Sequence, residues 1–282
     1  MCLIASFILL VLYVLFYMSF IFPLPINDAG SVRYRSIPWA TFLLIFLNSA
    51  IFLLWLAPDL YNPEVMVDGE FPYDYVTKIS SFGYRETVLR NGEGVGAFTT
   101  FTSMFMHADL LHLFGNMIYL WTFGRRIEDA CGHGRYLVFY LLSGMVANLG
   151  SELMNPLIGD RPGIGASGAI AGIMGAYLLL YPGAKVTTLW GVGSILRVPI
   201  SLVRIMLNQK AIIWGWRVTL PAWLLLLWFA FENTLFSFSS MKGEDTGGIN
   251  YLAHLAGFLA ALTIFLFVRK DLLMRYISGR SL

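Results

Sequence analysis

The sequence predicts an all-α polytopic membrane protein, with six spanning helices and an extra span at the N-terminus. Three observations carry this. Of 282 residues, 57% are hydrophobic and only 13% are charged, where an ordinary soluble domain carries about 25% charged residues. Seven stretches are apolar and nearly free of charge, each approaching the ~20 residues that a spanning helix needs: 2–22, 39–56, 110–124, 136–151, 166–181, 219–236 and 251–268. Finally, 14 of the 19 Lys and Arg residues fall in alternate connections and at the C-terminus, the bias that marks cytoplasmic segments.

Each element follows from its own residues. The 2–22 run has no basic residues ahead of it and no Ala-x-Ala-like site after it, so it reads as a retained span rather than a secretory signal. Arg33 and Arg35 hold its far end on the basic side. Residues 1–36 are thus a hydrophobic segment with its linker, 37–270 the six-span domain and 271–282 a tail. After span 39–56 comes a long loop, 57–109, in which Asp59, Glu64, Asp68, Glu70, Asp74, Glu86 and Glu93 collect on the outer side. Arg125, Arg126 and Arg135 mark the next turn as cytoplasmic, and Lys185, Arg197, Arg204, Lys210 and Arg217 mark the 183–218 connection likewise. Within that connection, the apolar run 195–207 with its two arginines reads as a segment lying on an anionic leaflet. Arg269, Lys270, Arg275 and Arg280 place the C-terminus in the cytoplasm, a layout that fits a bacterial plasma membrane.

The formal charge of +2 is too balanced for nucleic-acid binding as a main role, which leaves membrane lipids as the surroundings. Cys2 and Cys131 stand 129 positions apart and outside any CxxC pair, so neither a disulfide framework nor a thiolate metal site is supported.

Ionisable residues inside spans are costly and point to function. Here they are His112, His254 and Glu232, with His107 at a span edge and the neutral Asn116 nearby. Ser167, in Gly163-Ile-Gly165-Ala-Ser167-Gly168, opens the 166–181 span. Small neighbours allow close approach to its hydroxyl, and a helix start leaves N–H groups free for a developing anion. Plain helix packing also explains glycines at Gly168, Gly172 and Gly175. His254 begins the last span from the same side, so Ser167 and His254 lie at similar depth, and Gly257 and Ala261 offer a small face toward the glycines. His112 and Asn116 are four apart on one helix face and both can donate to an oxyanion. His107, five before His112, points elsewhere and reads as structural. Three histidines raise the question of zinc, but their spacing has no HExxH and offers no acid beyond Asp109, so no metal is expected. Asn250 and Glu232 are candidates to orient the imidazole, with interhelical hydrogen bonding the alternative for both. His133, in the cytoplasmic loop, reads as a solvated surface residue.

Taken together, His107-x4-His112-x3-Asn116, Gly165-Ala-Ser167-Gly168 and Ala253-His254-x2-Gly257, in this order, resemble the rhomboid intramembrane serine proteases. The resemblance implies a six-helix rhomboid-like core over roughly 37–270. It also implies a Ser167–His254 dyad and an oxyanion hole of the Ser167 N–H with His112 and Asn116. Transmembrane protein substrates cut near the outer boundary, and no cofactor, go with it. Glu128 matches a structural acid of the family. Two departures stand out: Phe98-Thr99 where many members carry Trp-Arg, and Ala171 where some place an aromatic residue against the histidine. A catalytically inactive rhomboid-like binding protein and a transporter are the rival readings; the first would lack the serine or the histidine, and the second would show inverted repeats.

Overall fold

The computed structural model describes residues 23–28, 34–62, 71–91, 95–154, 161–191, 203–204, 206–207, 217–242, 249–268 and 270–278. The expected span 2–22 and most of the 195–207 run lie outside them. The chain divides into two compact units.

The smaller unit joins the start of the chain to residues 183–225. Its described part is an antiparallel sheet in the order β1 (Leu24–Asp28), β2 (Lys185–Leu189), β3 (Arg217–Pro221). Leu24 faces Leu189 and Asp28 faces Val186 across the first pair, while Lys185 faces Pro221 and Leu189 faces Arg217 across the second. This sheet corrects the all-α expectation. Its cause is local: Val186, Thr187, Thr188, Val218 and Thr219 are β-branched, and the pleat buries Val186 and Thr188 while exposing Lys185. Pro25 is tolerated because β1 is an edge strand, and the register slips between Pro25 and Asn27. The expected span 219–236 is corrected too, since Thr219 and Leu220 belong to β3 and helix begins only at Ala222.

The larger unit, Tyr34–Pro182 with Leu226–Leu282, is helical. Its elements are α1 (Trp39–Leu60), α2 (Tyr73–Phe82), α3 (Glu86–Asn91), a winding segment α4 (96–105), α5 (110–131) and α6 (His133–Met154). They are followed by α7 (Ser167–Leu180), α8 (Ala222–Met241, whose first residues belong to the smaller unit), α9 (Tyr251–Val268) and α10 (Lys270–Ile277). Both α1 and α5 contain one π-helical turn, over Phe52–Leu56 and Leu120–Gly124. Among the described residues, Trp39–Leu60, His133–Met154 and Ala222–Ser239 are long and apolar enough to cross a membrane, and Ser167–Leu180 is a shorter apolar helix.

The start of α1 has Pro38 ahead of it and no side-chain cap of its own. Glu128, at the far end of α5 and fully buried, fills that role: it accepts from the Ala40 and Thr41 N–H groups, each at 2.8 Å, and from the Thr41 hydroxyl at 2.6 Å. His133 Nδ1 lies 2.5 Å from the same carboxylate, so this histidine is tied down rather than merely solvated.

The centre of the unit is the contact of α6, α7 and α9, built on small residues. A Cβ at Gly168 would lie 2.5 Å from Ala147 Cβ, one at Gly172 would lie 2.5 Å from Ser143 Cβ, and one at Gly175 would lie 2.5 Å from the Phe258 carbonyl oxygen. Carbon atoms in contact sit about 3.5–4.0 Å apart, so only glycine lets α7 approach both neighbours. In lipid, where apolar surface gains little from pairing, such close backbone packing holds helices together.

Candidate active site

Ser167 is the first residue of α7 and His254 lies in the first turn of α9. Gly257, one turn after His254, meets the Gly168 carbonyl directly, so the two helices touch beside both functional groups. The His254 Nε2 is 2.7 Å from the Ser167 Oγ. The expected pair is therefore within hydrogen-bond distance.

The chain enters α7 through a turn that only glycine accommodates. Gly165 has φ +122°, and a Cβ there would fall 2.8 Å from His112 Nε2. Its N–H donates to the Ser103 carbonyl at 2.9 Å, and Gly163 pairs with Tyr84 by two backbone bonds of 2.8 and 2.9 Å. Asn148, from α6, donates to Thr100 O and Ser103 Oγ and so fixes α4 beneath this turn.

His112 is set by the start of α5. Asp109 caps the helix, its Oδ1 accepting from the His112 N–H at 2.7 Å. The Ala108 N–H points at His112 Nδ1, 3.4 Å away. A backbone N–H only donates, so Nδ1 is the acceptor and Nε2 carries the proton, on the side of Gly165 and Ser167. Tyr75, from α2, donates to the Ala108 carbonyl at 2.8 Å. Burial, with Asp109 nearby, pushes the Tyr75 hydroxyl up to about 12, so it remains a donor at neutral pH. Asn116, one turn after His112, is buried, and its Nδ2 has no hydrogen-bond partner among the described residues. A buried donor without an acceptor calls for an explanation.

His107, expected to be structural, is fully buried and packs edge-on against His112, with ring centroids 5.1 Å apart. Glu128 lies at the α1–α5 junction, away from the serine. Among the described residues no group of three or more His, Cys, Asp or Glu is arranged to hold a metal ion.

The hydrogen-bond partner of His254 Nδ1 was not among the residues singled out in the sequence. It is Asn233 of α8, whose Oδ1 lies 2.9 Å from His254 Nδ1. Its neighbour Glu232 drew attention instead because it is charged. Asn250, the other candidate, accepts from the Ala253 N–H at 3.0 Å and from the Ser151 hydroxyl at 2.9 Å, so it caps α9 and ties it to α6. A spacing of 21 residues across a loop leaves no periodic signal, so Asn233 could be found only by knowing which face of α8 meets α9.

The chain is similar to known proteins over much of its length. Residues 96–271 match the family model of the Rhomboid domain. The chain is 32% identical over 143 residues to the rhomboid protease GluP of Bacillus subtilis, covering 50% of this chain and 24% of that protein. It is 30% identical over 152 residues to the mitochondrial rhomboid protein 1 of Saccharomyces cerevisiae, covering 51% and 37% of the two chains. It is also 27% identical over 177 residues to the chloroplastic Rhomboid-like protein 11 of Arabidopsis thaliana, covering 60% and 51%. The chain thus spans about half or less of the length of these relatives. The matched region holds His107, His112, Asn116, Ser167, Asn233 and His254, and the chain belongs to the rhomboid family.

Proposed function

We propose that this chain is a serine endopeptidase that works within the membrane and cleaves transmembrane proteins near the outer boundary. The observation that carries the reading is the 2.7 Å separation of Ser167 Oγ and His254 Nε2 at the start of a buried helix. As Ser167 Oγ bonds to the scissile carbonyl carbon, its proton passes to His254 Nε2. The carbonyl oxygen takes the negative charge and is met by the Ser167 N–H, His112 Nε2–H and Asn116 Nδ2–H. Collapse breaks the C–N bond, and the leaving amine takes the proton back from His254. Water then repeats the cycle on the acyl-enzyme. No metal or organic cofactor enters these steps.

The orphaned Asn116 donor supports the oxyanion assignment, and the names of relatives such as the protease GluP support the reaction class. The presence of both Ser167 and His254 weighs against an inactive binding protein. We also infer six spans within residues 37–270, one further span at 2–22, and a cytoplasmic C-terminus in a plasma membrane, on the Lys and Arg distribution. Labelling by a fluorophosphonate tests the nucleophile. The expected result is label on the native chain and none on Ser167→Ala; equal labelling of both contradicts the proposal.

A further inference from the structure

Asn233 sits mid-way along α8, with only 3% of its surface exposed. A buried amide needs partners for both ends. Its Nδ2 donates to the Phe229 carbonyl one turn back, at 2.8 Å. A carbonyl can only accept, so this bond decides which end of the amide is nitrogen. The other end, Oδ1, therefore faces His254 Nδ1 at 2.9 Å and can itself only accept. Nδ1 must carry the ring proton, which leaves the lone pair on Nε2, 2.7 Å from Ser167 Oγ. That is the tautomer a general base requires.

The ring plane is also held from α8. Ala171, one turn after Ser167, carries only a methyl and brings no ring to the imidazole. Phe229, one turn before Asn233, lies with its ring 6.0 Å from that of His254 at 30°. Tyr251 approaches the imidazole edge-on, at 6.3 Å and 76°.

We propose that Asn233 is the positioning residue for His254: it holds the Nδ1–H tautomer and accepts more strongly once Nε2 has taken the serine proton, because hydrogen bonds to charged donors are stronger. This rests on Ser167 and His254 acting as nucleophile and base. The test combines turnover of a transmembrane substrate in detergent with ¹⁵N NMR of histidine-labelled protein, the His254 signals being identified by their absence in His254→Ala. The native chain is expected to show a protonated Nδ1 and a bare Nε2. In Asn233→Leu the tautomer preference is lost and kcat falls by about 10–100-fold with KM nearly unchanged. Asn233→Asp retains an acceptor and recovers most of both. A bare Nδ1 in the native chain, a native kcat in Asn233→Leu, or an Asn233→Asp as impaired as the leucine variant overturns the proposal. The last outcome would make the bond to Phe229 the important one. If Asn233→Leu fails to fold, the native tautomer and the aspartate variant decide. Cleavage that persists in Ser167→Ala means that the nucleophile reading itself has failed; its loss there beside native turnover in Asn233→Leu removes Asn233 alone.

Discussion

Gly257→Ala should damage this protein more than any other single-methyl addition at the α7–α9 contact. The new Cβ would collide with the Gly168 carbonyl oxygen, and would lie 3.0 Å from the Gly168 carbonyl carbon and 3.3 Å from Ala147 Cβ. Carbon atoms in contact need about 3.5–4.0 Å, and the nearest obstruction is backbone, so α9 must retreat from α7 by on the order of 1 Å. Gly168 follows the nucleophile directly, and His254 precedes Gly257 by one turn, so the retreat falls on the 2.7 Å contact of Ser167 with His254. At about 3.5 Å it would no longer be a hydrogen bond. Overpacking costs about 1–3 kcal/mol of stability, and a 1 Å misplacement of reacting groups costs about 10²-fold in rate. Fluorophosphonate labelling rates and Tm in detergent measure the two effects. Gly134→Ala is the control: its Cβ would meet nothing within 4 Å, so Tm should hold or rise slightly. If Gly257→Ala labels at the native rate with an unchanged Tm, the close contact does not set the geometry of the pair.

Three further outcomes follow from the same structure. Asn116→Ala should bind substrate with nearly the same KM while kcat falls by about 10²–10³ for a dominant oxyanion donor, and by less if His112 and the backbone N–H compensate; unchanged kcat in folded protein returns Asn116 to packing. Glu128→Ala leaves the Ala40 and Thr41 donors of α1 without their buried acceptor and should cost about 1–3 kcal/mol for each donor left unsatisfied, seen as a lower Tm, while labelling per folded molecule is maintained; an unchanged Tm contradicts its place at the α1–α5 junction. A C-terminal reporter should be active inside the cell, and one active only outside would reverse the proposed orientation.

The polar residues of the candidate site were more legible in the sequence than the residues around them. Ser167, His254 and His112 announce themselves as polar groups near helix starts in an apolar chain, and Asn116 follows by its i, i+4 spacing from His112 on the same helix. Gly168 and Gly257 were readable as a packing face, because small residues four apart have few other uses in a membrane helix. Asn233 was not, since Glu232, Asn233 and Thr234 follow one another on different faces of α8 and nothing in its pattern says which of them meets His254. The sheet was hidden for a different reason. Leu24–Asp28 pairs with a strand more than 150 positions later, and Val218–Leu220 merges in hydropathy with the helix that follows. The role of His133 was missed because its partner Glu128 is buried, while its own ring remains half exposed.

The central claim is that Ser167 and His254 act as one catalytic unit, and cleavage of a single-span membrane protein tests it most directly. The native chain, Ser167→Ala and His254→Ala would each be co-expressed with a panel of such proteins, with membrane insertion of all three verified in the same samples. The account predicts cleavage of at least one panel member by the native chain and none by either variant, because nucleophile and base fail together. Near-native cleavage by either inserted variant would contradict it.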